Sequence, residues 1–148
     1  KPNIITSLEL DPAIMEQRNN HLQKKYAEIE ANEVRYEEIN CEDAEYLMVA
    51  FGSCARIAQK AMELARAEGI KVGLLRPITI WPFPSKAIAE RAKQVKGILT
   101  VELNAGQMIE DVRLAVECKV PTEHFGRLGG IVTDPDEVVS ALKEKLVK

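Results

Sequence analysis

At 148 residues the chain is long enough for one domain with a substantial core and too short for two. Apolar residues make up 46% and charged residues 29%, the range of a soluble globular protein, which excludes a disordered or collagen-like chain. A net charge of −3 offers no basic field to a polyanion, and no apolar run approaches the roughly 20 residues of a membrane span, so neither nucleic acid nor a membrane is expected as a partner.

The opening Lys1-Pro2-Asn3-Ile4 carries no signal-peptide stretch and no initiator Met, so export is not expected and the chain reads as part of a longer one. Charge divides the sequence. Residues 1–43 hold five basic and ten acidic side chains, a net −5, whereas residues 44–148 hold fifteen and thirteen, a net +2. Two regions are expected: an acidic helical arm or connector over 1–43, and an α/β domain over 44–148. Asp11-Pro12 supplies an N-cap followed by proline at the first helical position, and no Gly or Pro then interrupts the chain before Gly52. Met15, Leu22, Ile29 and Tyr36 recur every seven residues, with Tyr26 four after Leu22, which makes one narrow apolar stripe on a charged helix. The stripe suits an arm packed along its own domain or a connector docked on another domain or subunit, and the sequence leaves both open.

From Tyr46 the chain alternates short apolar runs with helix-period segments, the pattern of a layered α/β sheet. Tyr46–Phe51 is too short for a core helix and reads as a buried strand, after which Ser53 caps a helix carrying Ile57, Ala58, Ala61, Leu64 and Ala65 on one face. That helix stops at Gly69. Lys71–Leu75 is the next strand. Ser85 is the expected cap of a helix to about Lys96, Gly97 opens the strand Ile98–Leu103, and Gln107–Glu117 is helical with Met108, Ile109, Val112, Ala115 and Val116 inward. A strand is expected between Pro121 and Leu128. A closing helix then starts from Asp134, Pro135 and the capping-box Glu137. Short connections of this kind favour right-handed crossovers and a mostly parallel sheet with helices on both faces, a three-layer α/β/α sandwich.

Cys41, Cys54 and Cys118 are odd in number and far apart, which suits a reducing cytoplasm and gives neither a disulfide framework nor an iron–sulfur or zinc pattern. His21 and His124 are equally isolated, and no metal site is expected.

Four turns follow strands, where ligands and partners of open α/β sheets gather. Phe51–Arg56 starts a helix whose free N–H groups, with Ser53 and Arg56, suit a small anion, although neither a dinucleotide fingerprint nor a P-loop is present. Cys54 in the same turn lacks a nearby base and reads as packing rather than as a nucleophile. Leu75–Pro84 holds Arg76, Pro77, Thr79, Trp81 and two further prolines, a stiff loop that either caps the local core or presents an aromatic surface to another domain. Glu102, Asn104 and Gln107 place an acid at a strand end before a helix start. Arg76 is one candidate partner for that acid, in a structural hydrogen-bond network rather than in acid–base work. The glycine turn Phe125–Gly130 reads first as a plain loop, its alternative being that Arg127 reaches an anion or an interface carboxylate.

Gly73–Pro84 and Val101–Arg113 together closely resemble the alpha subunit of 2-oxoacid:ferredoxin oxidoreductases, particularly those of 2-ketoisovalerate type, and the likeness extends through Tyr46–Arg56 and Gly126–Gly130. The resemblance implies a fold like the transketolase C-terminal domain, with one strand that can run antiparallel. It also implies a complex that cleaves a 2-oxoacid with thiamine diphosphate and magnesium, passes electrons through iron–sulfur clusters to ferredoxin and releases the acyl group on coenzyme A. This chain lacks the Gly-Asp-Gly diphosphate motif and the cysteine clusters, so those cofactors are expected on companions: an N-terminal domain of the same subunit, a thiamine-diphosphate-binding subunit, and ferredoxin-like and gamma subunits. A homodimer stays open. No catalytic residue is expected here, and Arg76, Pro77, Thr79, Trp81, Glu102, Asn104 and Gln107 are the residues expected at an interface or in support of a neighbouring active site. The competing readings are a free-standing flavodoxin-like module for a small anion or nucleotide at Ser53–Arg56, and a cysteine hydrolase using Cys54.

Overall fold

The computed structural model describes residues 8–147, so the reading of Lys1–Ile4 lies outside the described residues. Asp11 caps the first helix, α1 (Pro12–Asn32), by accepting the N–H of Ala13 at 2.8 Å, as Asp11-Pro12 predicts. The helix ends earlier than the sequence suggests. The expected helical arm over 1–43 is helical only to Asn32, and Tyr36–Ile39 is instead strand β1, paired antiparallel with β3 (Val72–Pro77). Tyr36 therefore leaves the helical stripe and joins the sheet. Pairing with a neighbouring strand 35 residues away in sequence outweighs the weak local preference of Tyr-Glu-Glu-Ile for a helix, which no local pattern reveals.

The sheet contains β1, β3, β2 (Tyr46–Ala50), β4 (Gly97–Glu102) and β5 (Thr122–Gly126) in that spatial order, and every pair except β1–β3 is parallel. Its first parallel connection steps to one side and later ones return across β2, so right-handed crossovers place their helices on opposite faces. Helices α2 (Gly52–Ala67) and α5 (Pro135–Lys145) share one face, and α3 (Ser85–Ala92) and α4 (Met108–Val116) share the other. Strand β2 shows why its apolar run is continuous: Met48 and Ala50 enter one core, and Leu47 and Val49 enter the other. Alanines at 55, 58, 61 and 65 let α2 approach the sheet closely, with Ile57 and Leu64 flanking them. The three-layer α/β/α sandwich predicted from the sequence is thus the observed architecture.

Two helix starts are shifted from their expected caps. Phe51 rather than Ser53 is the N-cap of α2, and Pro84 rather than Ser85 is that of α3; neither cap makes a side-chain hydrogen bond. At Asp134 the capping box forms as expected, with Glu137 reaching back to the Asp134 N–H.

Edge strand β1 is fastened by charges. Arg91 on α3 grips Glu38 with two nitrogens at 3.0 and 2.5 Å, while Gln94 donates to the Cys41 carbonyl at 2.6 Å. Arg66 on α2 bonds Asp43, the Asn40 carbonyl and the Val72 carbonyl, so the bend between β1 and β2 is tied to both helical layers. Helix α1 buries no residue: Met15 and Ile29 are half-buried, and Leu22 and Tyr26 are exposed. No described helix is long and apolar enough to cross a membrane.

Candidate functional site

Parallel strands end together, so the turns after β3, β2, β4 and β5 line one edge of the sheet in that order. The switch point lies between β2 and β4, which sets the start of α2 beside the turn that follows Glu102.

The most elaborate of these turns is built on Glu102, whose side chain is 0% exposed. Its carboxylate accepts the backbone N–H groups of Gln107 at 3.1 Å, Met108 at 2.8 Å and Ile109 at 3.1 Å. A carboxylate at a helix N-terminus satisfies otherwise unpaired donors and sits at the favourable end of the helix dipole. Thus α4 carries its own internal anion, which closes this helix start to an external one. Asn104 tightens the turn through its Oδ1, which accepts the Gly106 N–H at 2.7 Å, and Gly106 has the positive φ of +103° that the bend requires. Gln107 is exposed.

The expected pairing of Glu102 with Arg76 does not form. Arg76 lies near the end of β3, two strands away from β4, and pairs with Glu37 of β1 at 3.1 Å. The antiparallel edge strand supplies this acid, and its register was not legible from sequence.

The proline loop divides its aromatics. Phe83 packs against the core beneath α3 and α4, whereas Trp81 is 55% exposed and meets Tyr26 of α1 edge-on at 5.7 Å. Phe83 thus caps the local core as expected, while Trp81 stays at the surface beside α1. Thr79 fastens the loop: its Oγ1 accepts the Arg35 N–H at 3.0 Å and donates to the Pro82 carbonyl at 2.9 Å. Pro77 is buried, Ile78 and Ile80 are exposed, and the Trp81–Pro82 peptide is cis. Glu30, Val34, Tyr36, Trp81, Phe83 and Lys86 line a groove of about 720 Å³ between the end of α1 and this loop.

Arg127, in a turn that reads from the sequence as a plain loop, is held by a partner within the chain. It bonds Glu137 at 2.6 Å, and the other Glu137 oxygen accepts the Thr133 hydroxyl at 2.7 Å. The Thr133 hydrogen bond, then the Asp134 N–H and Arg127, hold the Glu137 carboxyl below the usual range despite some opposing desolvation. This latch pins both ends of a glycine turn whose Leu128, Ile131 and Val132 are exposed. Sequence reading found the capping box but missed its second use as the Arg127 partner.

Ser53 and Arg56 are exposed on the first turn of α2. Cys54 beside them is buried, and burial followed by the nearby Glu102 charge pushes its thiol up, which disfavours the thiolate a hydrolase would need. Cys41 lies in the opposite core, pushed up to about 11 by burial, and Cys118 is exposed beyond α4. Under native conditions at about pH 8, a maleimide is expected to label Cys118 alone, with Cys41 and Cys54 reacting only after unfolding; rapid native labelling of Cys54 would revive the nucleophile. The three thiols lie in three separate places, and the described residues contain no group of three His, Cys, Asp or Glu side chains able to share a metal ion. The donor set of the described residues therefore does not fit an iron–sulfur cluster.

Comparison with known proteins adds four findings. Residues 44–138 match the family model described as pyruvate:ferredoxin oxidoreductase core domain II. The chain is 49% identical over 142 residues to ketoisovalerate oxidoreductase subunit VorB of Methanothermobacter thermautotrophicus, covering 96% of this chain and 40% of that protein. The fold superposes on a 2-oxoglutarate:ferredoxin oxidoreductase from Magnetococcus marinus with a TM-score of 0.78 at 23% identity, covering 93% of this chain and 24% of that one. It also superposes on a split-gene transketolase with a TM-score of 0.65 at 19% identity, covering 76% and 41%.

Proposed function

The chain belongs to the pyruvate:ferredoxin oxidoreductase core domain II family, and from that membership we propose that it serves as the C-terminal domain of the alpha subunit in a 2-oxoacid:ferredoxin oxidoreductase of 2-ketoisovalerate type. The carrying observation is the 49% identity to a ketoisovalerate oxidoreductase subunit across 96% of this chain, which spans only 40% of that relative's length. In this reading the complex oxidatively decarboxylates the 2-oxoacid, sends the electrons to ferredoxin and releases acyl-coenzyme A. Thiamine diphosphate, magnesium and iron–sulfur clusters belong to its companions, in keeping with the scattered donors here.

The domain's contribution is surface and support. Trp81 and Arg76 form a face for a neighbouring domain or subunit on a loop that Thr79 and the buried Pro77 support, and Glu102 fixes Asn104 and Gln107 at the adjacent turn. An exposed, conformationally stiff Trp supports that role, because such anchors lose little entropy on docking. The test co-expresses the full-length subunit with the thiamine-binding and ferredoxin-like subunits and follows 2-ketoisovalerate-dependent ferredoxin reduction. Trp81→Ala is expected to weaken assembly by about 2 kcal/mol, roughly 30-fold in Kd, while leaving the thermal stability of the isolated chain nearly unchanged. Unaltered assembly and turnover in both Trp81→Ala and Arg76→Ala would remove these residues from the interface.

A further inference from the structure

A buried nitrogen without a hydrogen-bond partner calls for a physical reason. His124 Nε2 on β5 is such an atom among the described residues, and it lies 3.8 Å from Glu102 Oε1 on the neighbouring strand. The same Oε1 already accepts the Ile109 N–H, and Oε2 accepts those of Gln107 and Met108. Gly126 makes room for the ring, because a β-carbon there would come 2.5 Å from His124 Cε1, whereas one on Gly106 would sit at ordinary contact distance, 3.5 Å from Cδ2. The imidazole is therefore seated beneath the Asn104–Gly106 turn, against the residue that holds the start of α4.

We propose that His124 is a proton-sensitive wedge for this turn. Without a proton on Nε2 the gap to Glu102 is idle. Once the ring gains a second proton, taken from solvent through its exposed part, it becomes an imidazolium whose Nε2–H forms an ion pair with Oε1. That pairing draws Oε1 from the Ile109 N–H and shifts the turn together with the first residues of α4. Of the charged groups on the neighbouring elements, Glu102 lies on β4, and Arg113 of α4 donates to the Thr122 carbonyl at 3.2 Å. From α5, Glu137 is engaged by Arg127 at the end of β5, and Glu123 points to the opposite face of its strand. The wedge matters to partners because the turn it moves carries Asn104 and Gln107; that consequence rests on the proposed function, whereas the movement itself does not.

The experiment is a proton titration of the isotope-labelled chain by NMR from about pH 8 to about pH 5, where imidazoles ordinarily change charge. The Ile109, Met108 and Gln107 amide resonances are expected to move with the same midpoint as the His124 Cε1 proton, the Ile109 shift being the largest of the three. His21 on the exposed α1 is the internal control, and its midpoint should leave these amides untouched. In His124→Gln the amide shifts should vanish. A His124 transition without movement of these amides, a ring that stays neutral throughout, or identical amide shifts in His124→Gln would each overturn the proposal. Coincidence of midpoints in the unaltered chain decides the matter even if that variant folds poorly. Failure of the subunit assembly experiment would leave this result standing.

Discussion

Glu102→Ala is expected to cost the chain about 4 kcal/mol and to lower its Tm by about 12 °C, the largest effect of any polar substitution in the sheet. The side chain is fully buried and accepts three backbone N–H groups at the start of α4. Alanine removes both acceptor oxygens, and with them all three hydrogen bonds, at once. Each donor that stays buried without a partner costs about 1–3 kcal/mol, and loss of the helix cap adds about 1 kcal/mol. Relief from burying a carboxylate offsets part of this, but the N–H groups and the dipole end already compensate that burden. Glu102→Gln keeps one acceptor oxygen and should lose about half as much. Urea unfolding monitored by circular dichroism measures both variants, and a loss below about 1 kcal/mol for Glu102→Ala would show that this anchor is dispensable.

Gly126→Ala should be nearly as damaging, at about 3 kcal/mol, although it adds only one methyl group. The new β-carbon would run into the Asn104 carbonyl oxygen and the His124 ring. A backbone carbonyl cannot swing aside, so the end of β5 or the turn after β4 must move, with strain at the Glu102 anchor. Gly97→Ala is the control. Its nearest neighbour is Leu146 Cδ2 at 2.8 Å, the tip of a rotatable side chain near the end of the chain, and the expected cost is below about 1 kcal/mol. Equal costs in the two variants, by the same unfolding assay, would refute a specific close packing at Gly126.

The two substitutions also separate what a strand end reveals in sequence from what it conceals. Glu102 stood out as an acid in an apolar context, and its burial and structural role followed from that. Its partner did not follow. Arg76 was chosen because both residues end strands, but strand order puts β2 between β3 and β4, and the edge strand brings Glu37 to Arg76 instead. Gly126 and His124 gave no signal, because a glycine kept free for a neighbour's ring looks like any other glycine until the neighbour is known.

The residues of this chain determine its layered α/β class by themselves, because apolar periodicity, Asp11-Pro12, the Asp134–Glu137 box and the Gly69 stop are local physical instructions. They also determine the order of strands and helices from Tyr46 onward. Tertiary structure alone decides that 36–39 becomes an edge strand, that Trp81 faces solvent while Phe83 faces the core, and that Glu102 serves α4 rather than Arg76. These are pairings across 5 to 41 residues of sequence, won by burial and hydrogen-bond satisfaction once the sheet has assembled, and no local pattern encodes which distant group becomes the partner.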